Sequence, residues 1–126
     1  MQLIMFTKHL EGLTLTDMID ALRSAGVDGA DLCVREGYPV TPTNIATALP
    51  AAAAAFDAAG LSIPLVTTPG DFISPDIDYA ARFYEACGNA GVKHLKLGYW
   101  RWHPGMDYWE EVDKIRGYLD LSLIHI

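Results

Sequence analysis

Three junctions of one kind constrain this chain most: Ala25-Gly26-Val27, Ala59-Gly60-Leu61 and Ala90-Gly91-Val92. Each ends a helical pattern, and each is followed by a hydrophobic run of strand length. A glycine just past a helix supplies the left-handed cap that turns the chain back. The glycines stand 34 and 31 residues apart, the length of one strand-plus-helix unit.

The units follow from those caps. The first strand is Leu3 to Thr7, a continuous apolar run of the kind buried on both faces. The first helix begins near Thr14, with Asp17 completing a weak capping box, and Met18, Ile19, Leu22 and Ala25 form its inward stripe. The second strand is Gly29 to Val34; alternation puts Asp31, Cys33 and Arg35 on one side and Leu32 and Val34 on the other. A Gly/Pro/Thr-rich loop, Glu36 to Thr43, leads to a helical stretch from Asn44 to Ala59. Pro50 predicts a short turn first and a main helix that starts at Pro50 itself.

The third strand is Ile63 to Thr68. Ser74-Pro75 predicts the start of the third helix, with Ile77, Ala81, Tyr84 and Cys87 or Gly88 inward. The fourth strand is His94 to Leu97, broken at Gly98. It is followed by Tyr99, Trp100, Arg101, Trp102 and His103, and by a helix from Asp107 to Leu119 with Trp109, Val112, Ile115 and Leu119 inward. The last six residues, LSLIHI, translate one frame of a transposon-end adapter, CTGTCTCTTATACACATC. Residues 121–126 are therefore expected to be a non-native tail on a truncated domain spanning 1–120; a native tail or a fifth strand is the other reading.

Four strand–helix units in unbroken succession predict an α/β fold with a parallel sheet and right-handed crossovers. Either an open doubly wound sheet or the (βα)4 amino-terminal half of a TIM barrel satisfies this. The polar ends of every strand favour the half-barrel, with strand order 1-2-3-4 and helices on one face. A glycine-rich phosphate loop is missing, since Thr7 to Thr14 holds only Gly12.

The formal net charge of −7, without a basic run, argues against nucleic acid and anionic membranes as partners. The two cysteines have no metal-type spacing and read as reduced thiols of a cytoplasmic protein.

FTKHL, DGADLCVREGYPVTP, NIATALPAA, AGLSIPLVTT and AGVKHLKLGYWRW, taken in order, resemble the xylose-isomerase-like TIM barrels of the sugar phosphate isomerases and epimerases. The likeness spans residues 3 to about 120 and rests on the series rather than on one diagnostic motif. It implies metal-assisted proton transfer in a full-length parent, with a divalent metal (Mn, Mg, Co or Zn) held by carboxylates and a histidine on later strands. No catalytic and no metal-binding residue can then be assigned here, and the fragment is expected to be inactive and metal-free. The partners implied are a small polyhydroxylated or sugar-phosphate substrate and, for the parent, further copies in a homo-oligomer. The DNA-repair branch of the same superfamily carries histidine zinc ligands where this chain has Thr67-Thr68. A non-catalytic sugar-binding barrel and a small open-sheet regulatory domain are the alternatives.

A barrel collects its chemistry at the carboxyl ends of its strands. The candidate substrate-binding residues there are Lys8, His9, Arg35, Glu36, Thr67, Lys96, Trp100, Arg101, Trp102 and His103. Asp31 is expected to form a charged floor beneath the ligand, paired with Lys96 or Arg35. Because Trp100 and Trp102 alternate, one is expected to stack on a sugar ring and the other to pack on a helix.

Overall fold

A computed structural model describes residues 1–124, with side chains described through residue 121. The elements are β1 (Ile4–Phe6), α1 (Leu15–Ala25), β2 (Gly29–Cys33), α2 (Ile45–Ala58), β3 (Ser62–Thr67), α3 (Ala80–Asn89), β4 (His94–Lys96) and α4 (Tyr108–Ile124), with a 3-10 turn at Thr7–Leu10. The four strands are parallel and lie in the order β1-β2-β3-β4. This is the (βα)4 half-barrel arrangement read from the sequence. Successive right-handed crossovers that all step in one direction put every helix on the same side of the sheet.

Side-chain alternation agrees. Ala30, Leu32, Val34 and Val66 join Met18, Leu22, Leu49, Phe56 and Phe83 in one continuous core on the helix side. The register aligns Phe6, Asp31, Leu65 and His94 in one row and Cys33, Thr67 and Lys96 in the next. These residues occupy the opposite, concave face, the side that becomes a barrel interior. β2, flanked on both edges, is buried throughout; β1, at one edge, is only half-buried rather than covered on both faces. Between the paired ends Gly29–Ser62 and Asp31–Leu65, β2 has one intervening residue and β3 has two. Pro64 lies within that bulge, where its missing N–H costs the ladder nothing.

The three glycine junctions fold as their sequences predict. Gly26, Gly60 and Gly91 have φ of 70°, 75° and 71°. In each, the residue after the glycine donates its N–H back into the helix: Val27 to Leu22, Leu61 to Phe56, Val92 to Cys87. The cap of α1 is also as read, with Asp17 N donating to Thr14 Oγ1 at 3.1 Å.

Other expectations fail for definable reasons. α2 does not begin at Pro50 but runs unbroken from Ile45 to Ala58 with Pro50 inside it. Ile45 and Leu49 are fully buried and hold the first turn on the core, and the proline ring faces solvent. Ser74-Pro75 does not start α3. Ser74 Oγ instead accepts from Asp76 N at 3.2 Å within a turn, and the helix begins at Ala80. Its buried face is Ala80, Phe83, Tyr84, Ala86 and Cys87, so Ala81 and Gly88 point outward, as does Ala25 in α1.

α4 also turns differently from its predicted stripe. Trp109 is 66% exposed and Leu119 is exposed, while Val112, Ile115 and Tyr118 face inward. The helix continues through residues 121–124, part of the stretch expected to be a tail; residues 125–126 lie outside the described residues. Among the described residues no helix is long and apolar enough to cross a membrane. Both cysteines are buried and free.

Candidate functional site

Every strand opens at its carboxyl end onto one rim, and each contributes through a different local device. After β1 the chain enters the 3-10 turn, which leaves Lys8 and His9 exposed. Thr7, fully buried, locks that turn to β2: its Oγ1 accepts from Cys33 N at 2.9 Å and donates to the Asp31 carbonyl at 3.4 Å. The β2–α2 loop folds back over the same end, with the Tyr38 hydroxyl donating to the Lys8 carbonyl at 2.6 Å. That loop is braced by a reciprocal pair, Thr41 N to Asn44 Oδ1 at 2.7 Å and Asn44 N to Thr41 Oγ1 at 3.2 Å.

Asp31 is 8% exposed on the concave face. Its carboxylate accepts from Thr67 Oγ1 at 2.6 Å. The expected cation pairing does not occur: among the described residues the ion pairs are confined to α4. Each proposed cation has another neighbour. Lys96 Nζ lies 5.2 Å from the Phe6 ring centre and 5.7 Å from that of Tyr99, a cation held over two π faces. Arg35 Nε donates to the Thr68 carbonyl at 3.3 Å. A short hydroxyl bond from the neighbouring strand thus does the work that charge was expected to do. Thr67, read as a ligand contact, is buried as the donor of that bond. Thr68 is buried beside it and bonds the Lys96 carbonyl at 3.0 Å.

Arg35 and Glu36 border a groove of about 460 Å³ between the β2 and β3 loops, with Pro42, Thr43, Asp71 and Tyr79 on its other walls. The Tyr79 hydroxyl donates to Asp71 Oδ1 at 3.0 Å. Burial, with that bond to a carboxylate second, pushes the phenol well above its ordinary value, so it stays protonated. Sequence reading missed Asp71 and Tyr79. The sign available was the aromatic spacing Phe72, Tyr79, Phe83, which builds a stacked cluster under the loop.

The end of β4 is clamped rather than free. Gly98 N donates to the Phe72 carbonyl and Tyr99 N to the Gly70 carbonyl, both at 3.0 Å. A Cβ on Gly98 would lie 2.5 Å from the Gly70 oxygen, so only glycine fits. Beyond this clamp the two indoles part as alternation requires. Trp100 packs on Tyr118 of α4 at 5.8 Å between ring centres and donates Nε1–H to the Ile73 carbonyl at 3.2 Å. Trp102 is 55% exposed, its ring tilted 58° to the exposed ring of Tyr108 with 6.2 Å between centres. With Arg101 and Met106 they line a second, mainly apolar groove of about 190 Å³. His103 is an exposed loop residue whose backbone N–H points to Met106 Sδ at 3.1 Å.

Of the expected rim residues, Arg35 and Glu36 line one groove and Trp100, Arg101 and Trp102 the other, while Lys8, His9, Lys96 and His103 line neither. A wider opening of about 740 Å³ lies at the amino ends of the strands, lined by Gln2, Asp57, Ser62, Lys93 and His94. In barrel enzymes that end serves stability, not chemistry. No group of three or more His, Cys, Asp or Glu side chains is assembled for a metal among the described residues. No family model and no curated protein matches the chain.

Proposed function

We propose that the carboxyl-end rim binds a small sugar or sugar phosphate, and that these four units are the substrate-binding half of a barrel isomerase or epimerase of the xylose-isomerase-like kind. One observation carries the reading. In a chain of net charge −7, Lys8, Arg35, Lys96 and Arg101 all stand at the carboxyl ends of the strands. Cations gathered on one face of an acidic body concentrate an anionic ligand there.

The indole of Trp102 offers a flat, solvent-facing surface for the C–H face of a sugar ring. The protonated Tyr79 phenol and the Asp71 carboxylate suit the hydroxyls of a polyol. Proton transfer and the divalent metal (Mn, Mg, Co or Zn) belong, in this reading, to later strands of the parent. The half-barrel itself binds without turning over.

Calorimetric titration with a pentose or hexose phosphate tests this, beside the same sugar without phosphate. The phosphate ester is expected to bind more tightly at low ionic strength and to lose that advantage as salt rises. Arg35→Met should weaken the phosphate ester alone, and Trp102→Ala should weaken both ligands. Equal binding of neither ligand by native protein and variants overturns the reading. Reproducible ketose turnover by the purified chain would overturn the division of labour.

A further inference from the structure

We infer, resting on the reading above that the rim binds sugars, that Arg82 is the positioning residue of the groove between the β2 and β3 loops. It lines no part of that groove. It fixes how far apart the walls stand, and so which sugars fit between them.

One wall, with Glu36, Pro42 and Thr43, is carried by the loop from β2 to α2; the other, with Pro69 and Asp71, by the loop from β3 to α3. Both loops run between described elements, so both walls are complete within this chain. Each loop is braced within itself. Asn44 Nδ2 donates to the Pro39 carbonyl at 3.2 Å, beside the reciprocal pair of Asn44 with Thr41. Across the gap, Phe72 N donates to the Pro69 carbonyl at 3.1 Å and Ile73 N to the Asp71 carbonyl at 2.8 Å. Bonds of this kind set the shape of each loop but not the distance between the two. The bond from Arg35 to the Thr68 carbonyl ties only the floor, where the strands are already paired.

The upper walls hang from a single turn of α3. Tyr79, its N-cap residue, donates its hydroxyl to Asp71 Oδ1 at 3.0 Å and holds one wall. Arg82, three residues on, reaches the other: Nε and Nη2 donate to the Pro42 carbonyl at 3.3 and 3.2 Å. Residues three apart lie on one face of a helix, at a fixed spacing. These two side chains therefore set the width of the groove. Two N–H groups of one planar guanidinium on a single carbonyl fix its direction as well as its distance, which a lysine ammonium does not. The locked φ of Pro42 passes that orientation to its own ring and to Thr43, both of which line the groove. A groove held ready costs its ligand less ordering than one the ligand must close.

Arg82 is also an exposed cation, so its charge must be separated from its grip. Calorimetric titration of ribose and glucose, each with and without a terminal phosphate, into native protein, Arg82→Met and Arg82→Lys does this. Amide hydrogen exchange of the three unliganded proteins accompanies it. Because the side chain is exposed, both variants are expected to keep the native circular dichroism spectrum. In Arg82→Met the amides of Thr41 and Asn44, on either side of Pro42, should exchange about tenfold faster. The better-bound sugar should lose about tenfold in affinity, with or without its phosphate, and the ratio between pentose and hexose should fall toward one. Arg82→Lys, which keeps the charge and one donor, should recover that affinity only in part. A loss confined to the phosphate esters, fully recovered in Arg82→Lys, means that Arg82 acts by charge and overturns the inference. So does unchanged loop exchange, and so does faster exchange with native affinities and an unchanged ratio. Those outcomes leave sugar binding by the native protein intact; a native protein that binds neither sugar nor ester overturns the sugar reading and this inference together.

Discussion

The bond from Thr67 to Asp31 is the residue-scale contact most exposed to test. A carboxylate at 8% exposure with its hydroxyl donor removed pays its desolvation without return. Thr67→Val, which keeps the shape of the side chain, is expected to cost about 1–3 kcal/mol by urea denaturation, and Thr67→Ser to restore most of it. The thiols give a second test. Burial raises the Cys87 pKa to about 12 from 9.0, and burial likewise raises that of Cys33, opposed mainly by the Arg35 charge. A raised acid is a proton held more tightly by the folded chain. Its stabilisation is whole below pH 9 and is lost as pH climbs through 9 toward 12. Urea midpoints are expected to fall over that window, and Cys87→Ala to flatten the fall. Below it, a disulfide reagent at pH 8 should label neither thiol until the chain unfolds. In the sequence, Asp31 announced itself as a charge inside an apolar strand. Its partner did not: threonines at strand ends look like rim residues, and only the register shows that Thr67 lies two strands from Phe6 and one from Cys33.

Elements were legible where a local rule acts alone. The glycine caps and the Thr14–Asp17 box depend on a few consecutive residues, and they stand where the sequence put them. They failed where packing overrides propensity. Pro50 lacks the N–H that would reach the Ala46 carbonyl, yet burial of Ile45 and Leu49 on either side of that carbonyl holds the turn together. Pro50→Ala is therefore expected to stabilise the chain by about 1–3 kcal/mol, less whatever the proline gains by restricting the unfolded state; thermal denaturation measures it. The ring is exposed, so no packing is lost with it. Gly98 makes the opposite case. Its substitution by alanine drives a Cβ into the Gly70 carbonyl and breaks two backbone bonds that seat the tryptophan loop. Gly98→Ala should cost about 1–3 kcal/mol and shift the tryptophan emission of the folded protein, as Trp100 leaves its Ile73 carbonyl.

At the scale of the whole molecule the sheet order followed from regular spacing, because a parallel sheet with short crossovers has few ways to be wound. The position of α4 did not follow. Helix periodicity names a stripe, but which stripe turns inward depends on what the helix meets, and α4 meets only one flank. Tyr118 packs against Tyr84, hydroxyl to hydroxyl at 2.9 Å, and against Trp100, while Tyr108, Trp109 and Leu121 stay exposed. Lys114 pairs with Glu110 and Glu111, and Arg116 with Asp113, along the exposed side of the helix, where solvent screens them and they add little. Stability is then graded across the molecule. β2 is covered on both faces and paired on both edges, so its amides open only with the whole core. α4 rests on the core through Val112, Ile115 and the Tyr118 cluster. Native-state hydrogen exchange is expected to rank them so, with α4 amides open at least about 2 kcal/mol below the β2 amides. Tyr118→Ala should widen that gap while hardly moving the exchange of β2. If instead α4 and β2 exchange together, the fourth helix is part of the cooperative core, and its exposed aromatics need a different account.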